Sequence, residues 1–582
     1  VLLCAFTVSS QTIDKTPKAE NDTKLDEKAV ALLRETLAEV NNMRTLENRI
    51  SFTSELASLM WFHDEQEARA MFTGVTNDFR QLLAQYDAQM NAMGTKPEDE
   101  SDSGSFLIFD PSERSKLQRK LTTAMAVRQQ IAMSMAEHDA DLAFTFYYDS
   151  LNAISNPELR KETDGRDQYF EFQLINQIAD KAPDKAVKFG KRSLAKGFTY
   201  QHLDLLKKIY AKDVDKATDF AEDILSHVKG DKLTEDNISA VSGLINFGEE
   251  TIKKSRTDSG KKAIYTTTDL RDLAEVMAQS ILSQSGDEIS GMEFVNQIEK
   301  YAPGRAMQIR SKFKMTDSAS QQIYMGNRSA SSTRMTALGN TSTGSDGANP
   351  AISAAQKAQE ERTKNEKQMM DDVMKVGNKD LPKDQRDSII TQARKILLMT
   401  PGRDKKIAGL SLLAAQVAKA GDKDLAAQIM KDAESLVNPQ PKNYQDYLLT
   451  WMLASGYASV NPDKAFPLLQ DTIGRANDTL AAFVKIGEFI DANEEMIQDG
   501  EVQVGAFGGS MIRGMTSELG MADSTIRILA KADFDKTKDL TNRFDRPEIR
   551  ILAKMMVLRA VLGDKDPPKI DSSDGDGSTD DK

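Results

Sequence analysis

KIAGLSLLAAQVAKAGDKDLAAQIMKDAESL, residues Lys406 to Leu436, decides the fold class. It predicts two short helices joined by a tight turn. In the first, Ile407, Leu410, Ala414, Val417 and Ala418 fall three or four apart and share one face. Lys419 stands in its last turn, where a cation suits the negative end of the helix dipole, and Gly421 can take the left-handed conformation that ends it. Asp422 or Asp424 then caps a second helix that buries Leu425, Ala426, Ile429, Ala433 and Leu436. Neither helix covers its own apolar face, so each needs the other and a neighbouring pair.

The same pattern recurs along the chain. It is found in DEQEARAMF (Asp64–Phe72), DADLAFTF (Asp139–Phe146), APDKAVKF (Ala182–Phe189) and DVDKATDF (Asp213–Phe220). It returns in APGRAMQI (Ala302–Ile309), NPDKAFPL (Asn461–Leu468) and DFDKTKDL (Asp533–Leu540). The small residues are Ala68, Ala143, Ala186, Ala217, Ala306, Ala426, Ala465 and Thr537, and a small side chain there lets two helix backbones approach closely. On these residues the chain resembles the tetratricopeptide (TPR) superfamily of helical repeats. In that family a Gly-Asp type turn precedes a second helix that opens with one small residue and has another two turns on, the places of Ala426 and Ala433. The copies are degenerate: 31 residues separate Ala186 from Ala217, 39 separate Ala426 from Ala465, and 43 separate Ala143 from Ala186. The family's Trp and Tyr signature in the first helix is mostly missing. The resemblance implies an all-α fold, an α-solenoid or right-handed superhelix of antiparallel helix pairs, with no sheet.

Composition agrees with a helical chain. Of 582 residues, 40% are hydrophobic and 28% charged, and 26 Met against 6% aromatics suit irregular helix–helix gaps. The formal net charge of -13 argues against nucleic acid or an anionic membrane surface as main partner. No apolar run long enough to span a membrane follows the N-terminus.

The opening VLLCAFTVSSQT reads as the tail of a secretory signal, with Val8 and Ser10 small enough to flank a cleavage after Ser10. Cys4 is the single cysteine, and Leu3 before it fits a lipoprotein signal poorly. The expected order is therefore a signal remnant (1–10), a disordered polar segment (11–24) and a first helical array (25–313). A Ser/Thr/Gly-rich linker (314–352), a second array (353–565) and a disordered acidic tail (566–582) follow. Within the first array, Val30, Leu33, Leu37 and Val40 share a helix face, and Thr45–Phe62 pairs with Glu65–Met93. Pro97–Gly104 reads as a solvated acidic loop. Within the second, Ile389, Ala393, Ile396 and Leu397 share a face, Pro467 kinks its helix, and Gly500–Gly514 is a mobile loop lacking the features of a phosphate cradle.

The search for chemistry names no catalytic, cofactor-binding or metal residue. The histidines are His63, His138, His202 and His227, and no two lie four apart. His63 and His138 each precede the Asp that opens a helix, where a cation suits the end of the helix before it. A Glu-Ser pair, as in lytic transglycosylases, occurs at Glu100-Ser101 and at Glu434-Ser435 without that family's second segment. Asp574, Asp576 and Ser578 lack the glycine and distal Glu of a calcium loop. The expected function is that of an exported, non-enzymatic scaffold, periplasmic or extracellular, binding a protein or peptide. The alternative is an all-helical envelope enzyme acting on polysaccharide or peptidoglycan, lyase or transglycosylase-like.

Overall fold

The computed structural model describes residues 17–93, 113–230, 233, 235–257, 262–284, 292–313, 367–378, 380–490, 497–504, 506–507 and 522–563. Among these the chain is mostly helical, with one two-stranded hairpin. The acidic loop 97–104, the whole of the expected linker 314–352 and both expected tails beyond these bounds lie outside the described residues.

The repeated motif forms the start of a helix each time, for a visible reason. In five copies an aspartate cap stands four residues before the small side chain. The carboxylates of Asp64, Asp139, Asp213, Asp422 and Asp533 accept the backbone N–H three residues on, at 2.9 to 3.0 Å. Where the cap is Ala182, Ala302 or Asn461, proline takes the first helical position. One turn inside, Ala68, Ala143, Ala186, Ala217, Ala306, Ala426, Ala465 and Thr537 are all buried. In the deciding stretch, Gly421 has φ +108° and ends the helix, and Asp422 rather than Asp424 is the cap.

The chain divides into two compact units. The first gathers Val1–Tyr86, Phe109–Val127 and Gly347–Lys582, and the second Asp87–Ile108 and Arg128–Asp346. These groups follow contact and not chain order, so residues 25–86 join the C-terminal helices.

In the second unit, α5 (Ala140–Ser150) is followed by α6 (Pro157–Ile178), α7 (Pro183–Leu194), α8 (Tyr200–Lys212) and α9 (Val214–Gly230). Then come α10 (Glu235–Thr257), α11 (Thr267–Ser283), α12 (Val295–Tyr301) and α13 (Pro303–Lys312). From α6 to α9, each helix packs on the next or on the next but one, and α8 packs on α10 while α9 packs on α11.

In the first unit, α1 (Pro17–Val40), α2 (Leu46–Met60) and α3 (Glu65–Met93, whose last turns fall in the second unit) open the chain, and α4 (Glu113–His138) likewise crosses the division. Much later come α14 (Lys383–Met399), α15 (Arg403–Ala420), α16 (Lys423–Glu434), α17 (Tyr444–Val460) and α18 (Pro462–Ile490). The last are α19 (Ala522–Ala532), α20 (Phe534–Thr541) and α21 (Pro547–Leu562). α15 pairs with α16, α17 with α18 and α19 with α20, while α15, α17, α19 and α21 pack in succession. The partner of α21 is α1, from the other end of the chain. α1 carries a sequence like that of the motif in Lys28-Ala29-Val30-Ala31-Leu32, in mid-helix and without its cap, with Ala29 and Leu32 buried. One helix pair is thus built from both ends of the sequence.

Several expectations are corrected. α1 begins at Pro17, not Leu25, with proline at its start and helix-forming Lys18, Ala19 and Glu20 after it. Its buried face is Ala29, Leu32, Leu33, Thr36 and Val40, with Val30 and Leu37 only half-buried. Ile396 lies outside the α14 core face, which is Ile390, Ala393 and Leu397. Pro467 lies inside α18, where its missing N–H forfeits one bond near the first turn. A short sheet exists: Ile497–Gln498 (β1) pairs antiparallel with Glu501–Val502 (β2).

Ala426 and Ala433 are fully buried, between α15, α16 and α17. Ala426→Leu is expected to overpack this contact and cost ~1–3 kcal/mol. The midpoint of chemical unfolding measures it, and an unchanged midpoint would refute this packing register.

Candidate functional site

The expected mobile loop at Gly500–Gly514 begins instead as structure. Asp499 (φ +51°) and Gly500 (φ +74°) make the turn between β1 and β2, the Asp-Gly pair favoured where both central residues are left-handed. The pairing sets Gln498 against Glu501 and Ile497 against Val502. Residues 508–514 lie outside the described residues.

Glu501 lands on the N-terminus of α2. Its carboxylate accepts the backbone N–H of Arg44 at 2.8 Å, and the N–H and hydroxyl of Thr45 at 3.1 and 2.9 Å. Thr45 makes no side-chain cap of its own, so a carboxylate 456 residues away satisfies the free donors at this positive helix end. Beyond Glu501 the main chain is held by side chains from two helices. Asn48 on α2 is fully buried; its Nδ2 donates to the Val502 carbonyl at 3.1 Å and its Oδ1 accepts the Val504 N–H at 3.1 Å. Glu548 on α21 accepts the Val502 N–H at 3.0 Å. Arg546 donates to Glu548 and to the Gly500 carbonyl. Val502 and Val504 are buried, and so is Gln503, whose side-chain oxygen and nitrogen both lack a hydrogen-bond partner among the described residues. Chemically, the arrangement holds an extended backbone with one acidic side chain at its head.

Beside it, α21 meets α1 through buried charge. Lys554 has no exposed surface, and its ammonium contacts Glu35 at 2.8 Å and Glu39 at 2.7 Å. Lys538 reaches Glu35, Lys28 reaches Asp535, and Arg559 pairs with Glu55. Burial would raise the Glu35 carboxyl, but hydrogen bonds from Lys538 and Lys554 hold it below the ordinary range.

In the second unit, a buried carboxylate, Glu171, accepts from the Tyr148 hydroxyl and from Lys196, the latter at 2.6 Å. The Arg192 guanidinium lies 3.8 Å from the Tyr148 ring centre. Burial, then the bond to Glu171, raises the Tyr148 phenol above its ordinary value, so it serves as a donor and not as a base.

Two of the histidines fall in structural places. His202 Nδ1 accepts the Thr199 N–H at 3.1 Å within a capping box, and burial lowers its pKa to about 3. His138 closes α4, but burial, then the charge of Lys181, lowers its pKa to about 4. It is therefore neutral near pH 7, which corrects the expectation of a cation there. Among the described residues no three His, Cys, Asp or Glu stand together to hold a metal ion. Glu434 accepts from the Tyr457 hydroxyl at 2.6 Å, a packing bond between α16 and α17. Glu100-Ser101, Cys4 and the Asp574–Ser578 run lie outside the described residues.

No sequence signal pointed to Asn48, Glu501 or Glu548. The Asp499-Gly500 turn between Ile497 and Val502 was the legible hint. No protein-family model matches the chain, and no curated protein matches it. Among the described residues no helix is long and apolar enough to cross a membrane.

Proposed function

We propose that this chain is an exported, non-enzymatic helical-repeat scaffold, periplasmic or extracellular, that binds a protein or peptide on a surface built from successive TPR-like pairs. Recurrent caps with buried small residues four positions on support the repeat reading. The observation that carries binding is the grip of Asn48 and Glu548 on the backbone of Val502–Val504, since helices of this chain hold an extended segment mostly by its main chain. The net charge of -13 favours a basic or neutral partner overall and makes contact salt-sensitive.

The test uses an exposed apolar edge. Ile396 and Met399, 41% and 73% exposed, stand near the end of α14. A photo-crosslinking residue at position 396 is expected to capture one partner from envelope or culture extracts. Capture should fall with rising salt and vanish when Met399 is changed to Glu. Turnover of a polysaccharide that survives purification, and dies with one buried carboxylate, would overturn the proposal.

A further inference from the structure

We infer that Glu501–Val504 is a built-in occupant of a peptide groove between α2 and α21, and that the groove's partner is an extended peptide bearing a carboxylate followed by apolar residues. The inference rests on the binding reading above and gives it a place and a ligand chemistry.

Three observations carry it. First, the grip is of the kind that recognises any extended chain. Asn48 offers one donor and one acceptor to the carbonyl of Val502 and the N–H of Val504, two residues apart, and Glu548 takes the N–H of Val502 itself. None of these contacts depends on the side chains of the segment.

Second, the side chains that are read form a short pattern. Glu501 sits on the free N–H groups of Arg44 and Thr45 at the positive end of α2. The Arg44 side chain also contacts the Asp499 carbonyl, so cationic and N–H donors surround that head position. Val502 and Val504 fill apolar space behind it.

Third, the present occupant is imperfect. Gln503 is only 2% exposed, and neither group of its amide has a partner among the described residues. Ser51, one turn beyond Asn48 on α2, has a buried hydroxyl oxygen without a partner as well. Burying an unpaired amide is costly, so an apolar side chain in that place would bind better than the segment's own glutamine. A segment held by its backbone, yet mismatched at one side chain, can be displaced by a better peptide.

The experiment uses the full chain with Val502 and Val504 both replaced by proline, which removes the two N–H groups that Glu548 and Asn48 hold and so empties the groove. The probe is a fluorescent peptide with the sequence of residues 497–507, followed by anisotropy. The emptied chain is expected to bind it at least about tenfold more tightly than the unaltered chain, where the tethered segment competes. A peptide with Leu at the Gln503 place should bind several-fold more tightly still. Asn48→Ala in the emptied chain should lower affinity about tenfold, because it removes both main-chain bonds. No binding by an emptied chain of unchanged helix content, or binding indifferent to Asn48→Ala, would overturn the inference. Should the emptied chain fail to fold, Glu501→Ala in the intact chain is the substitute. It should raise peptide affinity several-fold, and affinity equal to that of the unaltered chain overturns the inference. Crosslinking from position 396 does not involve this groove, so loss of capture there and loss of peptide binding here are read as separate failures.

Discussion

Replacing Lys554 with methionine is expected to destabilise the first unit by about 2–4 kcal/mol, which for a buried ion pair follows from leaving its carboxylates without their counter-charge. The ammonium has no exposed surface and lies within 2.8 Å of both Glu35 and Glu39. Methionine keeps much of the stem's volume, so lost charge and not a cavity dominates. The figure lies below a fully buried case because Glu35 and Glu39 retain about a third of their side-chain exposure and water screens them. Adding Glu35→Gln and Glu39→Gln to Lys554→Met should recover part of the loss, since no buried carboxylate is then left without a counter-charge, while the partly exposed Lys538 loses its partner Glu35. The exposed Lys28–Asp535 pair is the control, and Lys28→Met should cost under about 1 kcal/mol. Trp61 and Trp451 are the two tryptophans of the chain and both belong to the first unit, so tryptophan emission during urea unfolding reports it. An unchanged midpoint for Lys554→Met would refute the pairing of α1 with α21, and so would failure of the triple variant to recover.

How much of this was legible depends on how local each signal is. The pair from Lys406 to Leu436 could be read almost residue by residue. Its caps, its left-handed Gly421 and its 3.6-residue stripe all lie within one window, and Ile407, Leu410, Ala414, Val417, Ala426, Ile429 and Ala433 are buried as that stripe requires, while Ala418, Leu425 and Leu436 are only half-buried. Amphipathic stripes fail where a helix has two apolar edges. On α14, Ile396 and Leu397 are adjacent, and only packing against α15 selects Leu397 for the core. The α1–α21 pair was illegible for another reason. Lys28–Leu32 carries a sequence like that of the motif, but nothing nearby supplies a first helix, and its partner begins at Pro547. The candidate site was hidden the same way. Glu501 serves as a cap to Thr45 across 456 residues, a link that no local pattern carries. Its strands have two residues each, too short for an alternating pattern to register against the surrounding glycines.

Acid should weaken the second unit before its carboxylates titrate, and His202 should account for much of the effect. Burial lowers its pKa from 6.5 to about 3, and the neutral ring accepts the Thr199 N–H while packing 4.6 Å from Phe172. The unfolded chain takes up a proton near the ordinary value while the folded chain does not. Stability is therefore fully present above about pH 6.5 and is lost as pH falls toward the folded value. At pH 4.5, two units below the ordinary value and still above the folded one, His202 alone should have cost about 2–3 kcal/mol. His138, half-exposed and lowered to about 4, adds a smaller, solvent-screened contribution of the same sign. Asp87 and Glu249 are held below the ordinary carboxylate range: burial works against this, and hydrogen bonds outweigh it. Their contributions are lost only at lower pH, which leaves the window between 6.5 and 4.5 to the imidazoles. His202→Gln keeps an acceptor at the third position of the capping box and removes the titration. Hydrogen exchange of the Tyr200–Lys212 helix, followed from pH 7 to 4.5 with correction for the intrinsic rate, reads the opening free energy of this unit. The unaltered chain should lose protection steadily across the window, and the Gln variant should show a slope flatter by about one proton's worth, near 1.4 kcal/mol per pH unit. Parallel profiles for the two proteins would mean that the His202 ring is not kept neutral by its burial.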